Sequence, residues 1–391
     1  MNEALVIGGG LAGAALATRL AQAGRRVLVL EREPAPVDVV CGEFLSGEAL
    51  GMLASLGLDR ARLGALGAVP LYAVRLCAWG RTATARLPFD ALSLSRRTLD
   101  EALRQRATSA GAEVRRGAVV RGLRREDEGF SARLDGGERV HGRVAFLATG
   151  KHDLPDRRRP PGRQNDLVAF KMFFRLAPAE QLALAGHVEL LLFEGGYAGL
   201  QPVEGSRANL CLVLRRARLA ALGGTWPAVL AAVRNDSPHL DARLAGAAPC
   251  WPRPLALSAI PYGHVGRAAD SHDGLFRLGD QAAVIPSFSG DGMAIALHSA
   301  NLAAALHLDG RGAREYQRTL AGDVRAQVHL ATLMSQALVR RPTQRLVAAL
   351  TARFPRLLAR VAAGTRVPEA ALSRLVRRAP HAPLAVSRVS P

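Results

Sequence analysis

The sequence is poor in cysteine, and this limits the chemistry that it can perform. Its 391 residues include four cysteines, Cys41, Cys77, Cys211 and Cys250, and no two of them form a Cys-x-x-Cys motif. Their wide spacing indicates reduced thiols and argues against a disulfide framework, a structural zinc site or a dithiol relay. We therefore expect no metal.

Long hydrophobic runs are also lacking. No stretch of about 18 apolar residues occurs, and the glycine-rich N-terminus has no basic flank, so neither a membrane span nor a signal peptide is predicted. We expect a cytoplasmic protein. Hydrophobic residues make up 49% and charged residues 22% of the chain, which is typical of a protein folded throughout. The length favours two interleaved domains around one large cofactor.

Lysine is nearly absent, whereas arginine is abundant. The formal net charge is +19, yet Lys151 and Lys171 are the only lysines. The arginines are scattered through every segment, with no interleaved aromatic residues and no nucleic-acid-binding motif. This pattern indicates a compositional bias, and we expect no nucleic-acid partner.

The N-terminus carries a dinucleotide-binding pattern. A short apolar strand at 4–7 precedes Gly8-Gly9-Gly10-Leu11-Ala12-Gly13, and an alanine-rich helix follows. In this Gly-x-Gly-x-x-Gly motif, Gly8 makes the turn, Gly10 admits the pyrophosphate, and Gly13 allows close packing of helix on strand. Glu31 ends the second strand, where an acidic residue hydrogen-bonds a ribose diol. The unit predicts a bound dinucleotide without distinguishing NAD from FAD.

A second motif lies far downstream. The strand at 276–278 leads into Gly279-Asp280, and the segment from Pro286 to Gly292 leads into a helix at 293–306. This arrangement resembles the glutathione-reductase-type FAD enzymes, in the branch of the p-hydroxybenzoate-hydroxylase-like (group A) monooxygenases and the geranylgeranyl reductases. The resemblance implies FAD, with Asp280 at the ribityl hydroxyls and Gly290-Asp291-Gly292 at the flavin pyrimidine edge.

Two further segments are similar to the same family. Ser95-Arg96-Arg97-Thr98-Leu99-Asp100 resembles its Arg-x-x-Leu-Asp segment, which implies that Arg96 lies beside the pyrophosphate. Ala148-Thr149-Gly150 resembles the strand end that passes the adenosine half. The residues that we expect to contact FAD are Gly8, Gly10, Leu11, Ala12, Gly13, Glu31, Arg32, Gly42, Arg96, Gly150, Gly279, Asp280, Gly290, Asp291, Gly292 and Met293.

The expected catalytic residues are Cys41, Glu43 and Pro286. Cys41-Gly42 corresponds to a Cys-Gly pair of geranylgeranyl reductases, so the resemblance implies that Cys41 faces the flavin. Its thiol either shapes the pocket and shuttles a proton or is a buried structural cysteine. Glu43 either transfers a proton, if burial raises its pKa, or caps a helix or pairs with a cation. Pro286 opens the segment that leads to the second glycine turn.

The two lysines require separate interpretations. Lys151 and His152 stand where many hydroxylases of the family carry an Asp-Gly pair, and this departure leaves the choice of NADH or NADPH open. Lys171 and Arg175 share one face of the first strand of the expected substrate domain. Either could meet an anionic substrate group, but a solvated face is favoured.

The expected fold class is α/β. A glutathione-reductase-type, Rossmann-like FAD-binding domain over 1–164 resumes at 266–310, with an antiparallel substrate sheet inserted at 165–265 and helices at 311–391. Residues 316–363 are predicted to be mostly helical, with interruptions at Pro342 and Pro355. At 340–366, apolar residues alternate with arginines, which predicts a basic amphipathic helix broken at Pro355. Docking on the protein core is favoured over peripheral membrane contact.

The leading functional hypothesis is a monooxygenase of secondary metabolism that uses a flavin hydroperoxide to hydroxylate an apolar, aromatic or phenolic small molecule. The alternative is a reductase of a carbon–carbon double bond that resembles geranylgeranyl reductase. A halogenase is a minor alternative, because the Trp-x-Trp-x-Ile-Pro stretch of those enzymes is missing. A non-catalytic FAD-binding protein is a further minor alternative. The sequence does not indicate the oligomeric state.

Overall fold

The computed structural model describes residues 2–271 and 274–378, with side chains up to residue 374. The remainder of the helical region predicted at 311–391 lies outside the described residues. The strands are β1 (Asn2–Ile7), β2 (Val27–Glu31), β3 (Phe44–Leu45), β4 (Val69–Ala78), β5 (Arg81–Ser93), β6 (Glu113–Arg116), β7 (Val120–Glu126), β8 (Gly129–Leu134), β9 (Arg139–Leu147), β10 (Leu167–Arg175), β11 (His187–Phe193), β12 (Gly196–Val203), β13 (Arg207–Arg215), β14 (Ala248–Pro249), β15 (Leu255–Ser258) and β16 (Leu275–Arg277).

The described residues form thirteen α-helices. They are α1 (Leu11–Gln22), α2 (Gly47–Ala54), α3 (Arg60–Ala65), α4 (Arg96–Ser109), α5 (Pro178–Leu184), α6 (Arg216–Ala221), α7 (Trp226–Asp236), α8 (Pro238–Arg243), α9 (Gly292–Leu308), α10 (Ala313–Leu338), α11 (Arg341–Arg353), α12 (Arg356–Gly364) and α13 (Glu369–Arg378). No helix within 2–271 and 274–378 has the length and hydropathy needed to cross a bilayer.

The first sheet has the strand order β6-β2-β1-β9-β8-β7, and β16 also pairs with β9. Its centre is parallel, because β2 and β9 both pair with β1 in the parallel direction. The helices α1, α4 and α9 share one apolar core on this sheet. The carboxyl ends of parallel strands form the usual ligand-binding edge of such a sheet, and the glycine turn after β1 lies there.

The second sheet has the strand order β14-β10-β13-β12-β11-β4-β5-β3, with β15 also paired to β10. The mixed α/β class is confirmed, but the sheet extends beyond the predicted segment 165–265. Strands β3, β4 and β5 join it from within 1–164, and β11 pairs with β4 in parallel rather than antiparallel. The first 164 residues therefore contribute strands to both sheets.

The two faces of the second sheet are covered by different elements. One face packs with α7 and α8 around a core that includes Val229, Val233 and Leu240. The other contacts the C-terminal helices, since Ala348 of α11 and Leu358 of α12 belong to the same cluster as Tyr197 of β12. The predicted breaks are present, with Pro342 in the first turn of α11 and Pro355 immediately before α12.

Candidate functional site

The glycine turn after β1 is packed too closely for any larger side chain. Gly8 has a φ of +102°, and a Cβ there would lie 2.4 Å from the Ala148 carbonyl oxygen. A Cβ at Gly13 would lie 1.9 Å from the Gly8 carbonyl oxygen. Helix α1 begins at Leu11, and no side chain of the described residues caps its first turn. Its unpaired N–H groups are therefore free for an anion such as a phosphate.

Glu31 lies beside this turn at the end of β2. One carboxylate oxygen accepts a hydrogen bond of 2.7 Å from the Gly9 N–H, and the other accepts one of 2.9 Å from the Glu33 N–H. These two bonds fix the carboxylate at the rim of the cavity, which Arg32 also lines. A carboxylate oxygen can accept more than one hydrogen bond, so Glu31 retains acceptor capacity for a ribose diol.

Arg96 is held against the glycine turn by an ion pair. Its guanidinium donates two hydrogen bonds of 2.7 Å to Asp100, one turn along α4. A Cβ at Gly10 would meet the Arg96 guanidinium at 3.4 Å, so the arginine borders the phosphate turn. Burial alone lowers the pKa of Arg96, but Asp100 outweighs it and the net shift is upward. The guanidinium therefore stays charged beside the turn.

The second motif reaches the same cavity from the other side. Gly279 follows β16 with a φ of +54° and donates a hydrogen bond of 2.8 Å to the Ser299 hydroxyl of α9. The Asp280 carboxylate lies 3.4 Å from the Lys151 ammonium, which also donates to the Val40 carbonyl oxygen. Lys151, at the position that departs from the hydroxylase pattern, thus connects the end of β9 with Asp280 and the segment before Cys41.

The segment Cys41-Gly42-Glu43 is tied to the second sheet. Asn209 of β13 donates hydrogen bonds of 3.1 and 3.0 Å to the carbonyl oxygens of Cys41 and Gly42. The Glu43 N–H donates to the Cys41 sulfur at 3.3 Å. Glu43 has a φ of +62°, which costs a residue with a side chain about 1–3 kcal/mol and persists only where surrounding contacts enforce it.

Glu43 is fully buried and forms an ion pair with Lys171, which is also fully buried. The Glu43 oxygen that pairs with Lys171 also accepts a hydrogen bond of 3.1 Å from the Arg96 N–H. The other Glu43 oxygen has no hydrogen-bond partner among the described residues. Burial raises the pKa of Glu43 to about 7, although the charge of Lys171 opposes this shift. The carboxyl can thus change protonation state near neutral pH.

The expectation of a solvated face for Lys171 and Arg175 is wrong for the lysine. Lys171 is buried on β10 of the second sheet, because Glu43 supplies a buried counter-ion. Its ammonium lies 4.5 Å from the ring centroid of Phe173. Arg175 ends β10 and is exposed. Both interpretations of Glu43 apply in part. Its carboxylate pairs with Lys171, and its pKa is raised, which proton transfer requires.

The turn before α9 is fixed by Arg366, which follows α12. Gly290 has a φ of +69°, and a Cβ there would lie 2.8 Å from the Phe44 ring. Asp291 is buried, and its carboxylate accepts a hydrogen bond of 3.3 Å from Arg366, which also donates to the Ser289 carbonyl oxygen. Burial raises the pKa of Asp291 to about 8, against the opposing charge of Arg366. Helix α9 begins at Gly292 with no side-chain cap.

Most of these groups border one cavity of about 730 Å³, a volume within the range of cofactor and ligand sites. One end is lined by the glycine turn and Glu31. The other is an apolar chamber that includes Leu190, Tyr197, Val213 and Ile260, and α12 closes it with Leu358 and Val361.

Most of the predicted site residues meet at this cavity. Those that line it are Gly8, Gly10, Leu11, Ala12, Glu31, Arg32, Cys41, Gly42, Glu43, Arg96, Gly150, Gly279, Asp280, Gly290, Gly292 and Met293. Gly13, Pro286 and Asp291 are not part of the lining. Gly13 packs against Gly8, and the Pro286 carbonyl oxygen accepts a hydrogen bond of 2.8 Å from the Ser289 hydroxyl.

Three residues that hold the site in place were not predicted. Arg366 is one of many arginines, and nothing in the sequence distinguishes it, whereas Asn209 is a lone polar residue in the apolar run 208–214. Lys171 was noticed only because lysine is rare, and its partner Glu43 is 128 residues away. A charged residue in the middle of an otherwise apolar strand is the one signal that could have indicated a buried ion pair.

Comparisons with known proteins agree with this geometry. Residues 1–145 match the FAD binding domain family. Rifampicin monooxygenase from Streptomyces venezuelae is 30% identical over 155 residues, which cover 38% of this chain and 32% of that protein. The chain thus matches about a third of that relative. Menaquinone reductase from Mycobacterium tuberculosis is 26% identical over 347 residues, or 82% of this chain and 80% of that protein.

Solved structures extend the likeness to the whole fold. A flavin-dependent brominase superposes with a TM-score of 0.75 at 17% identity, covering 96% of this chain and 97% of that chain. A probable FAD-dependent monooxygenase from Pseudomonas aeruginosa gives a TM-score of 0.69 at 19% identity, covering 93% and 99%. Identities this low concern the fold alone. Residues 1–145 thus resemble a FAD-binding domain, and the chain has a fold similar to those of these two flavin-dependent enzymes.

Proposed function

From this site and these similarities, we propose that the protein is a monooxygenase that inserts one oxygen atom into an apolar aromatic or phenolic small molecule. The observation that carries the proposal is the continuity of the cavity from the dinucleotide turn to the apolar chamber. A buried carboxyl with a pKa of about 7 lines the same cavity. This arrangement suits a substrate that is held dry against a cofactor while one proton moves.

The residues of the cavity fit FAD. The turn at Gly8 and Gly10, with Arg96 beside it, would hold the pyrophosphate, and Glu31 would bind the adenosine ribose. Asp280 would accept hydrogen bonds from the ribityl chain. The uncapped start of α9 at Gly292 and Met293 would face the pyrimidine edge, where its N–H groups stabilise negative charge.

The chain itself supplies positioning, exclusion of water and a proton site. When bound, FAD supplies the redox chemistry that activates oxygen. Tyr197, Val213 and Ile260 form an apolar wall that keeps water from the substrate. Glu43 holds or releases a proton at its carboxylate, and Lys171 keeps that carboxylate in place. Cys41 also lines the cavity and shapes it.

The electron donor is proposed to be NADH or NADPH. No second dinucleotide-binding glycine motif occurs in the sequence, so the donor would act without a domain of its own. Lys151, beside Asp280, and Arg32, next to Glu31, line the cavity and would meet a negatively charged donor.

One observation favours the alternative, a reductase of a carbon–carbon double bond. The similarity to menaquinone reductase extends over 347 residues, more than twice the length of the match to rifampicin monooxygenase. The apolar chamber would accept an isoprenoid chain as readily as an aromatic ring. A halogenase is a weaker candidate, because the brominase resembles this chain in fold alone.

The deciding experiment is turnover with NADH or NADPH under isotopically heavy oxygen, offered panels of phenols and of isoprenoid naphthoquinones. A phenolic product that gains one heavy oxygen atom supports the monooxygenase. A product that gains two hydrogens and no oxygen overturns it in favour of the reductase. Failure of both panels to yield any product overturns the proposed substrate class.

A further inference from the structure

Helices α11 and α12 present an apolar outer surface that nothing in the described chain covers. Leu346, Leu350 and Phe354 follow one another at intervals of four residues and are 58%, 43% and 54% exposed. Val361 of α12 is 38% exposed. We call these four residues the outer apolar row. Side chains four residues apart lie on one helix face, so the row on α11 is a continuous stripe.

The segment that carries this row has only positive charges. No aspartate or glutamate occurs between Asp323 and Glu369, whereas eight arginines do. Arg353, Arg356 and Arg360 are exposed near the outer apolar row. Arg353 lies 5.4 Å from the ring centroid of Phe354, so charge and apolar surface are adjacent.

The inner sides of the same helices are firmly attached to the protein. The Gln344 amide donates hydrogen bonds of 2.7 and 3.0 Å to the carbonyl oxygens of Phe193 and Gly196. Ala348 and Leu358 are buried against the second sheet. The helices therefore have one face on the core and a second apolar face with no partner, which a helix that only docks on its own core would lack.

We propose that the outer face of α11 and α12 docks on the surface of an anionic lipid bilayer. Helices that lie in a membrane interface combine exposed leucine and phenylalanine with arginine and no acidic residue. The long arginine side chains can reach lipid phosphates while their stems remain beside the apolar row. A protein partner would need an acidic groove to match this face, whereas an anionic bilayer supplies both its charge and its apolar layer.

The position of α12 gives this docking a consequence for the substrate. Leu358 and Ala362 line the cavity, and Val361 of the outer apolar row lines it as well, so the docking face and the apolar chamber meet at α12. An apolar substrate dissolved in the bilayer would then enter beside α12. This consequence depends on the proposed function, whereas the docking itself does not.

The experiment is co-sedimentation of the full-length, FAD-containing protein with vesicles, which needs no turnover. We expect binding to vesicles of phosphatidylglycerol at least about tenfold tighter than to phosphatidylcholine, and weaker binding as salt rises. The double variant Leu350→Ser/Phe354→Ser should lose about tenfold or more of this affinity. Leu182→Ser is the matched control, because Leu182 is 80% exposed on α5, outside the docking face.

A second pair of variants tests the charge. Arg356→Gln/Arg360→Gln should weaken binding to phosphatidylglycerol about tenfold or more. Arg124→Gln/Arg125→Gln on the exposed strand β7 should bind like the unaltered protein. If the two double arginine variants lost the same affinity, binding would depend on net charge alone, and the proposal would be overturned. Binding that is unaffected by the loss of Leu350 and Phe354, or an outer face that mediates self-association instead, would overturn it as well.

Discussion

At the scale of single residues, the site depends on a few buried charges whose partners are distant in sequence. The fingerprint glycines and Glu31 were predicted from their offsets to a strand or helix, and Arg96 was predicted from the resemblance of its segment to a family motif. The ion pair of Glu43 with Lys171 could not, since it joins two segments that meet only after both sheets have formed.

Glu43 should make the bound flavin sensitive to pH. Its pKa of about 7 means that rising pH adds a negative charge beside the cavity near neutrality. We expect the visible spectrum of the FAD-bound protein to titrate with a midpoint near pH 7, and this transition to vanish in Glu43→Gln. Glu113→Gln, on the exposed start of β6, is the control and should titrate like the unaltered protein. A Glu43→Gln variant that retains the transition would remove Glu43 from the proton site.

Asp280 should be required for retention of FAD. A hydrogen bond to a charged group contributes about 1.5–3 kcal/mol, so Asp280→Ala should weaken FAD binding at least about tenfold. The measurement is the ratio of flavin to protein absorbance after dialysis. Asp270→Ala, in an exposed turn where Asp270 pairs with Arg267, should keep its flavin. A full complement of FAD in Asp280→Ala would show that the mapping of the ribityl site is wrong.

At the scale of secondary structure, the sequence predicted the strands and helices of the dinucleotide unit and of the C-terminal region well. It placed the helix after the second glycine turn and the breaks at Pro342 and Pro355. It did not predict that β3, β4 and β5 belong to the second sheet. The parallel pairing of β4 with β11 joins residues more than a hundred positions apart, and no local pattern encodes such a pairing.

Two glycines in helices should respond oppositely to alanine. A Cβ at Gly13 would lie 1.9 Å from a backbone oxygen, so Gly13→Ala should lower the free energy of unfolding by about 1–3 kcal/mol or more. Gly322 is an exposed glycine in α10 with open space around it. Gly322→Ala should stabilise the protein by about 0.5–1 kcal/mol. Urea denaturation measures both, and similar values for the two variants would contradict the close packing of α1 on β1.

At the scale of the whole molecule, the cavity exists only because the chain crosses repeatedly between the two sheets. Residues 1–164 contribute strands to both, and α12 returns at the end to close the apolar chamber. The predicted substrate segment 165–265 leaves out β3, β4 and β5, which belong to the same sheet. Arg366 illustrates the result, because it joins the C-terminal helices to the turn before α9.

Buried Asp291 should make global stability depend on pH. Its pKa is raised from 3.8 to about 8, so between these values the folded protein keeps a proton that the unfolded chain has lost. Stability contributed by this proton is complete below pH 3.8 and is lost as pH rises toward 8, by at most about 1.4 kcal/mol per pH unit.

Asp291→Asn removes this titration while keeping the size of the side chain. Urea denaturation across that pH range should therefore give a smaller loss of stability with rising pH in Asp291→Asn than in the unaltered protein. All other titrating groups are common to both proteins, so the difference between the two profiles isolates Asp291. Parallel profiles would show that Asp291 is ionised in the folded state at acidic pH.

The central claim is that this fold uses bound FAD to activate oxygen, and one measurement tests it directly. The purified protein is reduced by NADH or NADPH without oxygen, then mixed with oxygen while the flavin spectrum is recorded. We predict reduction by at least one donor, followed by a short-lived absorbance that matches neither oxidised nor reduced flavin. Slow reoxidation without such a species would contradict the monooxygenase and favour the double-bond reductase.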